Sequence, residues 1–159
     1  MPLSAIPAAP GARHIVFFDG VCNMCNRSVR LLLRLDRRRV LSFATLQSET
    51  ADRLRNQRLL DPISTADDPL SEKTFRSVVL VANEGSSDPR VYRNSAAVLQ
   101  ILRHIGGPCK VVSWLRILPS ALLDPCYAII ASHRYRWFGK KDVCWVPTAD
   151  LGDRFLDRG

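Results

Sequence analysis

A short apolar run at residues 14–18, His-Ile-Val-Phe-Phe, stops at Asp19-Gly20 and gives way at once to apolar residues spaced for a helix. That junction constrains the fold more than any other feature of the chain. The run is bounded by a turn signal and rich in β-branched and aromatic side chains, so it reads as a buried strand. Beyond it, Cys25, Val29, Leu32 and Leu33 recur at a helical period and form one stripe. Arg37, Arg38 and Arg39 follow, where positive charge suits the negative end of a helix dipole. Cys22-Asn23-Met24-Cys25 therefore sits immediately after a strand and at the start of a helix.

The rest of the chain extends this unit. Residues 40–46 read as a second strand, and Ser48 is placed to cap a helix running to about residue 60. Residues 61–76 are rich in Asp, Ser and Pro without periodicity and read as an inserted loop. Residues 77–82 give a strong strand signal, with a turn at 83–89 and a shorter strand at 90–93, together a hairpin. Asn94 should cap a helix whose core stripe is Val98, Ile101, Leu102 and Ile105, stopped by Gly106, Gly107 and Pro108. Residues 109–137 read as two or three helical pieces broken at Pro119 and Pro125, with a short terminal helix near 150–156. A strand–helix–strand unit followed by a hairpin and a final helix is the minimal thioredoxin-like layout. The expected fold is α/β in three layers, with a mixed central sheet, helices on both faces and additional C-terminal helices. Residues 1–13 are expected to be a disordered tail and residues 14–159 a single domain, a length that can bury a real core.

Position gives the cysteine pair its chemistry. The thiolate is the reactive form of cysteine, and a helix start offers unpaired N–H donors and a positive dipole end that stabilise the anion. A spacing of three puts both sulfurs one turn apart on the same face, within disulfide reach. Cys22, nearer the loop, should face solvent and act as nucleophile, while Cys25, on the stripe of Val29 and Leu32, should resolve the mixed disulfide. Asp19 is the third candidate catalytic residue, able to relay a proton or to orient the turn, and near enough to limit the fall of the Cys22 pKa. A structural zinc site would need a second ligand pair, and Cys109, Cys126, Cys144, His14, His104 and His133 are isolated from one another in sequence. A c-type haem site would need His directly after Cys25, where the chain has Asn26. No metal or other cofactor is expected.

Five cysteines are too few and too uneven for a disulfide-stapled secreted domain, and the first residues show neither a charged nor an apolar signal region. The expected setting is cytoplasmic or another reducing compartment, such as an organelle lumen or matrix. The formal charge of +8 raises nucleic acid or anionic membrane as partners, but the arginines are spread along the chain. Their densest groups, Arg34 with Arg37 to Arg39 and Arg134, Arg136, Lys140 and Lys141, read as solvated helix ends. The expected partners are protein or small-molecule thiols and disulfides, with no nucleic acid and no stable membrane association.

The run Phe18-Asp19-Gly20-Val21-Cys22-Asn23-Met24-Cys25-Asn26 resembles the signature of the DCC family of predicted thiol–disulfide oxidoreductases, named for its Asp-x-x-Cys-x-x-Cys motif. The similarity continues at residues 43–48, 77–81, 95–102 and 134–139, spanning the chain from about 14 to 155. It implies a thioredoxin-like fold and a dithiol function. One departure from thioredoxins at large is Ser77, preceded by Arg76, where they place a cis-proline that shapes the substrate groove. The 134–139 block and Cys144 also look family-like. Trp137 and Phe138 are expected to pack against the core at the end of a helix that stops at Gly139.

Two other function classes use the same residues. A non-catalytic binding or adaptor module would keep the fold without turnover, and the presence of both Cys22 and Cys25 argues for the enzyme. A membrane-peripheral protein would use Trp114, Leu115, Leu118, Leu122 and Leu123 beside basic residues. Packing of these side chains into the core accounts for them more simply.

Overall fold

The computed structural model describes residues 13–20, 22–60, 78–107, 109–112, 114, 117–139 and 153–156. One sheet carries four strands in the order β2-β1-β3-β4. Strand β1, Arg13–Phe18, runs parallel to β2, Leu41–Thr45, and antiparallel to β3, Val79–Glu84. Strand β4, Arg90–Arg93, pairs antiparallel with β3 at the far edge. A parallel pair cannot be joined by a tight turn, and helix α1, Asn23–Leu35, supplies the crossover between β1 and β2. This mixed sheet with its crossover, hairpin and added C-terminal helices is the thioredoxin-like arrangement that the element order predicts.

Strand alternation divides the core into two layers. Val16, Phe18, Leu41, Phe43, Leu80 and Ala82 pack with Cys25 and Val29 of α1 and with Ala97, Ile101 and Ile105 of helix α3, Asn94–Ile105. Ile15, Phe17, Ala44, Leu46, Val79 and Val81 pack on the other side with Ala51 and Leu54 of helix α2, Glu49–Asn56. Both faces of β1 are thus covered, which is why its apolar run is continuous rather than alternating. Ser48 caps α2 as its sequence position suggests, its hydroxyl accepting from the Ala51 N–H at 3.3 Å.

Several boundaries fall elsewhere than the sequence implies. Helix α1 ends at Leu35 with Arg34 in its last turn, so Arg37 to Arg39 lie beyond it, and Arg39 adopts a left-handed φ of 53°. Helix α2 stops at Asn56 rather than near Leu60, because Arg58 turns left-handed at φ 59° and the Leu59 and Leu60 N–H groups fold back onto the Leu54 carbonyl. Arg93, not Asn94, occupies the cap position of α3. Asn94 instead makes the strand-to-helix turn in one residue at φ 52°, a conformation asparagine tolerates. The buried stripe of α3 is Ala97, Ile101 and Ile105, with Val98 37% exposed and Leu102 half-buried. Val98 and Leu102 instead line a cavity together with Val29 and Leu32 of α1.

After helix α4, Cys109–Val112, the chain breaks at Pro119 as expected and enters α5, Ser120–Phe138. Pro125 does not break α5. It stands in the second turn, where it forfeits its own intrahelical N–H bond but leaves the rest of the helix ladder intact. Contrary to expectation, core packing does not absorb Trp114, Leu118 and Leu122, which are exposed. Leu123 is half-buried, and Leu115 lies outside the described residues. The 61–76 insertion also lies outside them, as do Arg76, Ser77 and most of the expected terminal helix.

The described part of that terminal segment, residues 153–156, bridges to β2, with Phe155 stacked on Phe43 at 5.7 Å. Arg154 reaches the buried Asp36 and hydrogen-bonds the Leu41 carbonyl at 3.2 Å. Asp36 also accepts from the Val40 and Leu41 N–H groups at 3.1 and 3.0 Å. One carboxylate thereby fixes the entry to β2 and tethers the C-terminal segment. No helix among the described residues is long and apolar enough to cross a membrane.

A histidine pair makes stability depend on pH. His14 and His104 lie ring on ring at 4.0 Å, and His14 Nδ1 accepts the Asn83 N–H at 3.2 Å. Burial lowers the pKa of both, with Asp36 partly opposing this at His14. His104 falls to about 4, helped by the charges of His14 and Arg103. The unfolded chain takes up these protons near pH 6.5, whereas in the folded chain both take them up at lower pH, His104 only near 4. Unfolding free energy is therefore expected to fall as pH drops below about 6.5, the His104 share of the loss being complete near pH 4. Urea unfolding midpoints between pH 7.5 and 4.5 check this, and His104→Leu should flatten the decline relative to wild type.

Candidate active site

The turn from β1 into α1 is held by the residues that begin the helix. The Cys22 N–H donates to the Asp19 carbonyl at 3.3 Å, and the Asn26 side chain donates to the Gly20 carbonyl at 3.0 Å. Cys22 itself is the cap residue, with extended backbone at φ −86° and ψ 119°. The Asn26 N–H makes the first helical bond to the Cys22 carbonyl at 3.0 Å. The dithiol thus stands at a helix start, with Cys25 one turn in.

Cys22 does not face solvent, as its place in the loop suggests it should. Its relative exposure is 0% and that of Cys25 is 4%, and both belong to the apolar cluster of Val16, Phe18 and Val29. The extended cap residue delivers its side chain to the core instead of the surface. Both cysteines are free thiols in the structure, as are the half-buried Cys109 and the exposed Cys126. Cys144 lies outside the described residues.

A residue from the other end of the chain completes the site. Arg134, on α5, is 2% exposed and not part of a solvated basic end. Its Nη1 donates to Cys25 Sγ at 3.6 Å, and its Nη2 to Asp19 Oδ2 at 2.9 Å and to the Tyr135 hydroxyl at 3.0 Å. The Tyr135 hydroxyl donates in turn to Asp19 Oδ2. Asp19, 2% exposed, is thus bound to an arginine and a tyrosine rather than left as a carboxylate pressing on Cys22. Sequence reasoning singled out residues 134–139 but missed this role. The available signal was spacing: Tyr127, Ala131 and Arg134 fall on one helical face, and the first two are partly and fully buried. The end of α5 is tied to the start of α1 by the Asn23 side chain, which donates to the Phe138 carbonyl at 3.0 Å. Trp137 and Phe138 are 55% and 43% exposed, not packed into the core, and Trp137 stacks on His133.

The two sulfurs are electrostatically unequal. The Cys22 pKa is lowered to about 6, chiefly because the Cys25 thiol hydrogen-bonds its sulfur. Burial opposes this, while the Cys25 amide, the Arg134 charge and the Met24 amide assist. No hydrogen bond of standard geometry runs from the Cys22 side chain to the helix, so these amides act as nearby dipoles. Cys25 is pushed strongly upward, by that same hydrogen bond, then by burial and the Cys22 charge. Tyr135 rises to about 12 through burial and its bond to Asp19.

A largely apolar cavity of about 370 Å³ opens beside Cys25 and Arg134, walled by Val78, Val98, Leu102, Tyr127 and Ile130 among others. The Val78 N–H donates to the Tyr127 hydroxyl at 2.9 Å, fixing the sheet side of this wall to α5. Among the described residues, no three His, Cys, Asp or Glu side chains converge to hold a metal ion.

The family model described as DCC1-like thiol-disulfide oxidoreductase matches residues 16–140, which span the dithiol, most of the sheet and Arg134. The chain belongs to this family. It is 34% identical over 143 residues to the uncharacterized protein YuxK of Bacillus subtilis, covering 90% of this chain and 93% of that protein. It is 38% identical over 135 residues to the chloroplastic DCC family protein At1g52590 of Arabidopsis thaliana, covering 83% of this chain and 69% of that protein. No solved structure matches the chain. Membership in this family assigns a general thiol–disulfide redox role to a chain whose Asp-x-x-Cys-x-x-Cys residues meet Arg134 in one buried cluster.

Breaking a buried ion pair leaves an uncompensated charge, at a cost of about 3–5 kcal/mol. Asp19→Ala is therefore expected to lower unfolding free energy by about that amount. Asp19→Ala combined with Arg134→Met should lose clearly less than the sum of the two single changes. Denaturant unfolding of the two single variants and the double variant measures the coupling.

Proposed function

We propose that the chain is an enzyme that exchanges disulfides through Cys22 and Cys25. The Cys22 thiolate attacks a substrate disulfide, forming a mixed disulfide and releasing one substrate thiolate. Cys25 then loses its proton and attacks the Cys22 sulfur, breaking the mixed disulfide, releasing the second substrate thiolate and leaving a Cys22–Cys25 disulfide. The substrate gains two electrons and the dithiol loses two. The observation that carries this reading is the placement of the pair: Cys22 caps a helix, Cys25 lies one turn in with the Arg134 guanidinium 3.6 Å from its sulfur, and this setting lowers the Cys22 pKa and raises that of Cys25. A thiol with a pKa near or below ambient pH is mostly thiolate and leaves readily. Asp19 acts here by holding Arg134 against the dithiol rather than by touching Cys22.

The burial of Cys22 means that an outside disulfide reaches it only after local opening at the helix start. The substrates are protein or small-molecule disulfides, and the setting is a reducing compartment such as the cytoplasm, where the dithiol is regenerated. The adaptor alternative lacks support of this kind, because a binding module needs neither the lowered pKa nor the second thiol.

Trapping tests the reading. Cys25→Ser should accumulate mixed disulfides at Cys22 in the cell, resolved by reducing agent and identifiable by mass spectrometry. Cys22→Ser and Cys22→Ser/Cys25→Ser should trap none. Equal adduct levels in all three variants would count against a nucleophilic Cys22.

A further inference from the structure

We infer that Arg134 is the charge that lets Cys25 ionise in the second half of the exchange, an inference that rests on the dithiol reading above. Arg134 Nη1 lies 3.6 Å from Cys25 Sγ, closer to the resolving sulfur than any other cation named at the site. Asp19 and Tyr135 hold its Nη2, so the guanidinium is fixed in place rather than free to follow a partner. The fork geometry of arginine allows one group to meet both the sulfur and the carboxylate.

The consequence appears when the mixed disulfide forms. In the reduced state, Cys25 donates its hydrogen to the Cys22 sulfur and faces that sulfur's negative charge, and both keep it protonated. Once Cys22 is bonded to substrate, its charge is gone and it no longer accepts that hydrogen bond. The largest remaining influence that favours a Cys25 anion is Arg134, set against burial and the more weakly acting Asp19. Cys25 then releases its proton to solvent, and its thiolate attacks Cys22 Sγ. Arg134 thus acts mainly on resolution, whereas Cys22 attack draws on the Cys25 hydrogen bond before it draws on Arg134. An opposite charge at this range lowers a pKa by about 1–3 units.

The test uses protein in which Cys109, Cys126 and Cys144 are serine, reacted with one equivalent of an aromatic disulfide whose released thiolate absorbs visible light. Attack by Cys22 releases the first equivalent and resolution by Cys25 the second, so one trace reports both steps across pH. Arg134→Gln should raise the pH midpoint of the second phase by about one unit or more. A one-unit rise cuts the thiolate about tenfold at pH 7, and the stronger intrinsic nucleophilicity of a more basic thiol returns about threefold. The net expectation is a second phase about threefold slower or more, with the first phase changed less. Arg134→Lys, which keeps the charge, should restore most of the midpoint, and a folded lysine variant that does not would overturn the charge argument. An unchanged midpoint in Arg134→Gln overturns it as well. Should Arg134→Gln fail to fold, the wild-type midpoint decides: below the free-thiol value of about 8.5 it supports a cation at Cys25, and at or above that value it overturns one. A wild-type protein that releases only one equivalent overturns the dithiol reading itself, which separates that failure from the failure of Arg134 alone.

Discussion

The buried ion pair between Asp19 and Arg134 is the interaction on which the arrangement of the site depends. Asp19 stands at the end of β1, where the chain leaves the sheet for the helix bearing the cysteines, and Arg134 arrives on α5. Each side chain is 2% exposed, so neither charge has water to fall back on. Their pairing therefore decides where α5 sits against the strand–helix turn. A buried pair of this kind is weak evidence of stability, since an apolar substitute of similar volume often does as well. Its value lies in geometry: the guanidinium that meets Asp19 with one nitrogen meets Cys25 with the other.

That geometry makes two identical residue types chemically different. Cys22 and Cys25 share one apolar cluster and nearly equal exposure, so solvent access does not separate them. Position does: Cys22 caps the helix, and Cys25 lies one turn in beside Arg134. The neighbouring Cys25 thiol and the amides of the first helical turn favour charge on Cys22 and lower its pKa. The exposed Cys22 expected from its loop position is instead as buried as Cys25.

What the sequence reveals follows the range of the forces involved. Strand β1, the helix after it, the Ser48 cap and the Gly106 stop are written in neighbouring residues, where periodicity and capping act, and they are legible. Asp19 and Arg134 lie 115 residues apart, and Asp36 and Arg154 lie 118 apart, so no local pattern pairs them. Arg134 reads as one of a group of surface bases until its place on the face of Tyr127 and Ala131 is considered. The boundary errors have a common cause as well. Arg39, Arg58 and Asn94 all turn with positive φ; asparagine tolerates this conformation but arginine rarely adopts it, so residue type does not announce the two arginine turns.

The central claim is that Cys22 carries the thiolate of the pair at neutral pH. Alkylation of the reduced, folded protein with iodoacetamide across pH 5–9, with each cysteine followed by peptide mass spectrometry, measures it most directly. The account expects the Cys22 rate to rise with a midpoint of about 6, while Cys25 stays unmodified through neutral pH. A Cys22 midpoint at or above the free-thiol value of about 8.5, or labelling of Cys25 as fast as Cys22, would contradict it.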